Sequence, residues 1–244
     1  MSDKKKITVE GVSKGFGDLA VVDDVSLEVR DGEFVAIVGP SGCGKSTLLN
    51  VIAGFERADR GKIRINGVEQ KGPSRNGIVI SQHGSVFPWL TVHQNLMFAL
   101  SGTKHGDQEQ LAYRYIDMVG LSGFESAYAH ELSGGMLKRV EIARALVVKP
   151  EILYMDEPFS ALDALMSLRM QTELRRILDE ERHTVLLITH DVEEAIFLAD
   201  RILVLSPRPT TIQTEFRVDL LHPRKLSDPR AQTLREAILK ELGL

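Results

Sequence analysis

The sequence predicts an α/β fold that has a parallel-sheet core, an N-terminal antiparallel β subdomain and an inserted helical subdomain. Short apolar runs at residues 34–38, 152–155 and 185–189 are typical of parallel strands that are buried on both faces. Residues 7–30 alternate apolar and polar side chains, as antiparallel strands with one face in water do. Residues 87–132 instead have helical periodicity, which indicates the inserted subdomain.

The composition argues against several classes of protein. The 244 residues are 43% hydrophobic and 26% charged, as in ordinary soluble proteins, and the net charge of -4 argues against a sequence-independent grip on nucleic acid. The single cysteine, Cys43, has no second cysteine in the chain with which to form a disulfide. No apolar stretch approaches the roughly 18 residues of a membrane span, and the first residues lack a signal-peptide core. We therefore expect a cytosolic protein that meets a membrane only through a partner.

A glycine-rich loop, Gly39–Thr47, follows the first apolar run and matches the phosphate-loop pattern G-x-x-x-x-G-K-[ST] in full. A helix is predicted over 48–53, with Gly54 as its C-cap. Glycines let successive N–H groups converge on an anion, and the helix N-terminus adds partial positive charge. Lys45 is placed to reach the β- and γ-phosphates, and the Ser46 hydroxyl to bind Mg²⁺. A glycine-rich turn with a chance Lys-Ser pair is the alternative, which the strand–loop–helix order disfavours.

Several further signals lie on either side of the phosphate loop. Phe16, between two glycines, is either an aromatic packed under a hairpin or a ring that stacks on a nucleotide base. Asn66-Gly67 is a strong hairpin signal, and a strand at 78–80 leads directly to Gln82. Trp89, the only tryptophan, stands at the entrance of the helical stretch and is predicted to be an anchor or a contact surface.

The rest of the chain alternates helices and strands, as a parallel sheet requires. Helical residues 87–132 are interrupted by a Gly-, Lys- and Asp-rich break at 102–107, and Ser133 is a natural N-cap for a helix that ends before Pro150. The remaining predicted elements are a helix over 164–181 capped by Asp163, a helix with a capping-box-like start at Asp191 and Glu194, a strand over 202–205, a Pro- and Arg-rich tail over 207–230 and an amphipathic helix over 231–242.

Polar residues follow the predicted parallel strands where each strand ends, which is where such sheets bind ligands. Asp156 and Glu157 end the second apolar run: Asp156 is suited to hold Mg²⁺ through water, and Glu157 to polarise the attacking water. A strand-end acidic turn is the alternative. His190 follows the third run and is placed to hydrogen-bond the γ-phosphate, although a lone strand-end histidine is more often structural. Gln82 follows another strand and is placed to contact Mg²⁺ or water.

The Ser133-Gly134-Gly135 start of the next helix has the geometry of a second anion site. One chain already has a phosphate loop. A second phosphate-binding element is useful if two copies meet head-to-tail, each offering this helix start to the other's γ-phosphate.

These motifs together give the chain its resemblance: over essentially its whole length it resembles the ATP-binding cassette (ABC) ATPases. The resemblance implies a phosphate-loop NTPase fold with a RecA-like core, and a dimer that encloses two ATP molecules. The motifs in the family's order are Walker A at 39–47, the Q-loop residue Gln82, the signature at 132–135, Walker B at 152–157, the D-loop at 160–163 and the switch histidine His190.

The resemblance also implies site residues. Phe16 matches the aromatic residue that stacks on adenine. Glu157 matches the catalytic base, and His190 and Gln82 are the other implied catalytic residues. Ser46, Gln82 and Asp156 are the implied Mg²⁺ ligands. The residues implied to bind ATP are Phe16, Gly39, Pro40, Ser41, Gly42, Cys43, Gly44, Lys45, Ser46 and Thr47 from one copy, and Ser133, Gly134, Gly135 and Asp163 across the dimer. Met136 departs from the Gln that many members carry, so a direct nucleotide contact there is not expected.

Within the family the chain most resembles the ATPases of nitrate, sulfonate and taurine importers, through residues 87–92, the signature Met and residues 205–209. This implies transmembrane permease subunits that contact Gln82–Val92, Trp89 included, at the inner face of the membrane, and an extracytoplasmic binding protein that selects the solute. The alternative is a soluble ABC ATPase that acts on nucleic acid or in assembly; it predicts tandem cassettes, a coiled-coil insertion or a basic face, which the chain lacks. A phosphate-loop kinase or GTPase leaves 132–136 and 160–163 unexplained.

We predict that residues 1–244 form one such ATPase domain with three parts. They are a nucleotide-binding core with the β subdomain at 1–86 and 150–206, a helical subdomain at 87–149 that ends in the signature helix, and a C-terminal extension at 207–244.

Overall fold

A computed structural model describes residues 4–74, 76–82, 84–103 and 106–244, and the α/β fold is confirmed. Lys104 and His105 of the predicted break, and His83 of the predicted permease contact, lie outside the described residues. The strands are β1 Lys5–Phe16, β2 Leu19–Arg30, β3 Phe34–Val38, β4 Arg60–Ile65, β5 Val68–Glu69, β6 Gly77–Ile80, β7 Ile152–Asp156, β8 Thr184–Ile188, β9 Arg201–Leu205 and β10 Ile212–Arg217. The α-helices are α1 Lys45–Ala53, α2 Val92–Leu100, α3 Gln108–Met118, α4 Gly134–Leu146, α5 Ala164–Glu181, α6 Val192–Leu198 and α7 Pro229–Glu241.

The chain forms two compact units. The first comprises Met1–Gly77, Ile152–Asp156 and His183–Leu244, and the second comprises Ile78–Glu151 and Glu157–Arg182. The boundary therefore passes between the consecutive residues Asp156 and Glu157. The division of the domain at 86, 149 and 206 stays a prediction.

The first unit contains an antiparallel sheet and a largely parallel one. The antiparallel sheet has the order β2-β1-β4-β5, and its β4–β5 hairpin turns at Asn66 and Gly67, which both have the positive φ of a type I′ turn (53° and 79°). The second sheet has the order β10-β9-β3-β8-β7 within this unit, with β3, β7 and β8 parallel and wholly buried. Helix α1 packs against β7 and β8, and α6 against β3 and α7.

Strand β10 is a feature of the tail that the sequence analysis did not predict. Residues 207–230 were described only as a Pro- and Arg-rich tail with no strand assigned to it, yet Ile212–Arg217 pairs antiparallel with β9 at the edge of the sheet. Its residues alternate between half-buried and exposed, the pattern of an edge strand with one face on the core. The prolines before and after this segment drew attention away from the alternating exposure of its six residues, which is the signal of a strand.

The second unit is built from α2, α3, α4 and α5, and α2, α3 and α4 pack on one another. Thr91 and Gln94 form a full capping box at the start of α2, and Asp107 caps α3. The predicted helical stretch at 87–132 is longer than the observed α-helices. Helix α3 ends at Met118, and the chain then turns through Gly120 and Gly123, whose φ values are +65° and +90°. In the described ranges, no helix is long and apolar enough to cross a membrane.

Tyr154, at the centre of β7, buries a hydroxyl that has no hydrogen-bond partner among the described residues. Its side chain is 2% exposed, and burial raises the pKa of the phenol. An unpaired buried hydroxyl costs about 1 to 3 kcal/mol of desolvation. We expect Tyr154→Phe to raise the free energy of unfolding by about 1 kcal/mol, measured by urea denaturation.

Tyr115→Phe is the matched control, because the Tyr115 hydroxyl donates to the Glu181 carboxylate at 3.1 Å. This substitution is expected to lower the free energy of unfolding by about 1 kcal/mol. Equal destabilisation by both substitutions would contradict the assignment of an unpaired hydroxyl to Tyr154.

Candidate functional site

The phosphate loop joins the end of β3 to the start of α1, and two of its glycines have backbone conformations that other residues rarely adopt. Gly42 has a φ of +71° and Gly44 a φ of +119°. A Cβ on Gly44 would also lie 2.7 Å from the Cγ1 methyl of Val21 on β2, which is too close for any side chain at this position. Only glycine fits at position 44 without displacing β2.

Lys45, the first residue of α1, is 6% exposed, and its ammonium group turns back into the loop. Its Nζ donates to the Gly39 carbonyl at 2.9 Å and to the Pro40 carbonyl at 3.0 Å. A buried ammonium group is costly to desolvate unless it has strong acceptors, and the loop carbonyls provide them. The loop thus keeps a positive charge in its interior.

Thr210, from the tail segment before β10, supports the phosphate loop and was not found by the sequence analysis. The Thr210 hydroxyl donates to the Cys43 carbonyl, and the side chain is fully buried. Its backbone N–H donates to the Val21 carbonyl at 2.8 Å, and its carbonyl accepts from the N–H of Asp23 at 2.9 Å. The tail is thereby attached to both the loop and β2. A threonine 167 residues away from its partner leaves no local signal in the sequence.

Phe16 lies at the end of β1, on the hairpin that continues into β2 and Val21. Its side chain is 49% exposed, and the Lys14 ammonium lies 5.1 Å from the centre of the ring. Lys14 also pairs with Asp59 at 3.4 Å. The ring is therefore available for stacking and is held on the β subdomain.

Strands β3, β8 and β7 bring Asp156 and His190 to the same sheet edge as the phosphate loop. Asp156 pairs in register with Ile188, and Ile188 with Ile37, two residues before Gly39. Asp156 is 8% exposed, whereas His190, two residues after Ile188, is exposed. This edge is where the residues expected to bind phosphate and metal were predicted to meet.

Helix α6, which follows His190, has only part of the predicted capping box. The Asp191 carboxylate caps α6 by accepting from the N–H groups of Glu193 and Glu194 at 2.8 and 3.2 Å. The Glu194 carboxylate accepts from the Thr189 hydroxyl at 2.8 Å. The Asp191 N–H donates to that same hydroxyl at 3.0 Å. The Thr189 hydroxyl thus hydrogen-bonds both the Glu194 carboxylate and the Asp191 backbone, and these bonds hold the backbone on either side of His190.

In the second unit, Glu157 and Gln82 are in contact. Gln82 Nε2 donates to Glu157 Oε2 at 3.3 Å, and the Gln82 side chain is exposed. Glu157 has a φ of +47°, a left-handed conformation that is uncommon for a residue with a side chain. The Ser160 hydroxyl donates to the Glu157 carbonyl at 2.9 Å and supports this turn. The backbone thus turns at Glu157, the residue that follows β7 and is predicted to be the base.

The start of α4 lies against the segment that precedes α5. The Ser133 hydroxyl caps α4 by accepting from the Met136 N–H at 3.3 Å. A Cβ on Gly135 would be 3.4 Å from the Ala161 carbonyl oxygen and from Leu162 Cδ2, so Gly135 lies next to both residues. Asp163 Oδ1 accepts from the Met166 N–H at 3.0 Å and caps α5. The predicted signature and D-loop are neighbours in the second unit, with Gly134 exposed.

Comparison with known proteins places the chain among ATP-binding subunits of transporters. The family model for ABC transporters matches residues 22–160. The chain is 43% identical over 242 residues to the aliphatic sulfonates import ATP-binding protein of Bacillus licheniformis, covering 99% of this chain and 94% of that protein. It is 42% identical over 245 residues to an uncharacterised ABC transporter ATP-binding protein of Methanocaldococcus jannaschii, covering 98% of this chain and 92% of that protein.

Among solved structures, the chain matches a dimeric, post-hydrolysis ATP-binding cassette bound to ADP and Pi. The TM-score is 0.77 and the sequence identity 28%, and the match covers 88% of this chain and 100% of the other.

Proposed function

The chain belongs to the ABC transporter family as an ATP-binding, ATP-hydrolysing subunit, and on that basis we propose that it energises an importer of a small anion such as a sulfonate, nitrate or taurine. The observation that carries the proposal is the 43% identity, over nearly the whole chain, to a sulfonate import ATPase. The complete phosphate loop and the Asp156-Glu157 pair support it.

ATP binds at the phosphate loop in this proposal. The N–H groups of the loop and the Lys45 ammonium neutralise the phosphate charge, and the half-exposed Phe16 ring stacks on the adenine. Ser46 and Asp156, both in the first unit, provide a hydroxyl and a carboxylate, which are hard donors of the kind that Mg²⁺ prefers. The resemblance to the family adds the Gln82 amide oxygen as a further proposed ligand. Bound ATP supplies the scissile phosphate, and Mg²⁺ adds charge neutralisation.

Hydrolysis then depends on how this chain places a water molecule. Glu157 accepts a proton from the attacking water at its carboxylate, and His190 donates a hydrogen bond to the γ-phosphate oxygen. Gln82 orients Glu157 through the 3.3 Å hydrogen bond between them. Positioning and charge stabilisation account for most of the rate in phosphoryl transfer, so displacement of any of these groups lowers turnover.

Two copies form the active dimer in this proposal, as the dimeric cassette structure suggests. Ser133, Gly134 and Gly135 of one copy then contact the nucleotide of the other. Asp163, which directly follows the Ala161-Leu162 segment beside that helix start, links the two sites.

Met136→Gln is expected to change ATPase activity less than about twofold. The Met136 N–H already donates to the Ser133 hydroxyl, and the substitution keeps that bond. Steady-state hydrolysis is the measurement, with Ser133→Ala as the control that removes the cap and lowers activity. A large loss in Met136→Gln would place the Met136 side chain at the dimer interface.

The permease is proposed to dock on an aromatic cluster formed by Phe87, Trp89 and Phe98 in the second unit. The Phe87 ring centre lies 5.4 Å from that of Trp89 and 4.8 Å from that of Phe98. Trp89 is 69% exposed and Phe98 56% exposed. Exposed clustered aromatics are typical of protein-binding surfaces, and these lie in or beside the predicted contact Gln82–Val92. The chain then lies on the cytoplasmic side of the membrane, and an extracytoplasmic binding protein selects the solute.

The test is a pull-down from detergent-solubilised membranes of the source organism. Tagged Glu157→Gln protein with ATP is expected to recover a multi-span permease, which mass spectrometry identifies. The same protein with the added substitution Trp89→Ala is expected to recover about tenfold less of that permease. Recovery of soluble partners alone, in repeated trials, would overturn the transport proposal. Equal recovery with both variants would remove Trp89 from the contact.

A further inference from the structure

Three charged residues spaced three apart on α4, Lys138, Glu141 and Arg144, face the segment that carries Gln82. A Lys–Glu pair at this spacing on a helix is ordinarily a solvated surface pair. Here the Lys138 side chain is 5% exposed and the Glu141 side chain 2% exposed. The two groups lie 3.0 Å apart, so this is a buried ion pair.

The pair holds the backbone next to Gln82. Lys138 Nζ donates to the Ser81 carbonyl at 2.5 Å. Glu141 Oε1 accepts from the Ser85 hydroxyl at 2.9 Å, and Arg144 Nη2 donates to the same hydroxyl at 2.5 Å. Both Ser81 and Ser85 are therefore tied to one face of α4, on either side of Gln82.

The attachment continues to the start of α2. The Arg144 guanidinium lies 4.8 Å from the centre of the Phe87 ring. Asn95, which is fully buried, donates to the carbonyls of Phe87, Leu90 and Thr91 at 3.0 to 3.2 Å and accepts from the Phe87 N–H at 2.9 Å. Each of these contacts lies within the second unit.

Stability alone does not account for the pair. Two buried charges lose hydration, and well-packed apolar side chains of similar volume are often as stable. An apolar pair has no donor for the Ser81 carbonyl. The feature that Lys138 and Glu141 add is a fixed position for that carbonyl, and the next residue is Gln82, whose amide donates to Glu157.

We propose that Lys138 and Glu141 are positioning residues for ATP hydrolysis. They fix Gln82 opposite Glu157 by attaching its segment to α4, the helix whose N-cap, Ser133, lies five residues before Lys138 in the sequence. The hydrolytic consequence rests on the proposed function; the attachment of the segment does not.

The test is the double variant Lys138→Met/Glu141→Leu, which removes the pair without leaving one charge buried. We expect amide hydrogen exchange at residues 81–82 and 84–90 to be about tenfold faster, with exchange in β3 unchanged. The kcat for ATP is expected to fall about tenfold, with KM within about twofold, because the phosphate loop is untouched. Lys138→Arg keeps a donor for Ser81 and should retain most of kcat.

Arg176→Gln/Glu180→Gln is the matched control, an exposed helical pair on α5 that should change neither readout. If the double variant fails to fold, Lys138→Met/Glu141→Gln serves instead, because it also removes both charges and keeps an amide oxygen that can accept from the Ser85 hydroxyl. Unchanged exchange at 81–82 and 84–90 overturns the proposal, as does faster exchange with unaltered kcat. Absence of hydrolysis by the wild-type chain would instead overturn the proposed function. In that case the hydrogen-exchange measurement alone would test whether Lys138 and Glu141 attach the Gln82 segment to α4.

Discussion

Glu157→Gln is expected to bind ATP as the wild-type chain does and to lose turnover by about a hundredfold or more. Glutamine has the shape of glutamate and keeps one oxygen for the Gln82 amide, which donates to Glu157 Oε2 at 3.3 Å. The substitution therefore preserves the geometry and removes the group that takes the proton from water. A variant that binds but does not hydrolyse should accumulate as a closed dimer.

Three measurements test this expectation: ATP binding by calorimetry, phosphate release at saturating ATP, and size-exclusion chromatography with and without ATP. Glu56→Gln, at an exposed carboxylate after α1, is the control and should behave as wild type in all three. Normal turnover by Glu157→Gln would exclude Glu157 as the base. Loss of ATP binding would instead mean that the carboxylate supports the nucleotide site as a whole.

Lys45→Ala is expected to weaken ATP binding by about 10- to 100-fold, the amount that corresponds to the loss of a charged hydrogen bond. The Lys45 ammonium is nearly buried and already bonded to the carbonyls of Gly39 and Pro40. Alanine removes both the charge for the phosphates and these two bonds within the loop. The effect on affinity should exceed any effect on folding, because the loop keeps its glycine conformations and its contact with Thr210.

Equilibrium binding of a fluorescent ATP analogue, with thermal unfolding of the nucleotide-free protein, separates the two effects. Thr210→Val is a useful comparison, since it keeps Lys45 and removes only the hydroxyl that supports the Cys43 carbonyl. Its affinity should fall less than that of Lys45→Ala. Unchanged ATP affinity in Lys45→Ala would contradict the phosphate-loop assignment.

Features that arise from neighbouring residues could be predicted from the sequence. Ser133, Asp163 and Asp191 cap their helices because a short polar side chain reaches the free N–H groups of the first turn. Gly54 ends α1 in a left-handed conformation for an equally local reason. Runs such as β3 could be recognised because a strand buried on both faces has no polar alternation.

Features that depend on distant partners could not be predicted. Thr210 supports a carbonyl of the phosphate loop far earlier in the chain, and nothing in its local sequence distinguishes it. Lys138 and Glu141 have the spacing of an exposed pair, and only packing against the segment after β6 buries them. Strand β10 has the alternation of an edge strand, but it is short and lies in a Pro- and Arg-rich segment, and its pairing partner β9 is what makes it a strand.

The left-handed backbone at Glu157 has a consequence for how such a protein changes over time. A residue with a side chain loses roughly 1 to 2 kcal/mol in that conformation, and glycine avoids this at a smaller entropic cost in the unfolded chain. Glu157→Gly should therefore yield an inactive protein that is as stable as the active one, or more so. In the proposed mechanism the carboxylate is kept here against the backbone's preference for glycine, so a gene copy no longer selected for hydrolysis would lose it with little loss of folding free energy beyond the Gln82 hydrogen bond.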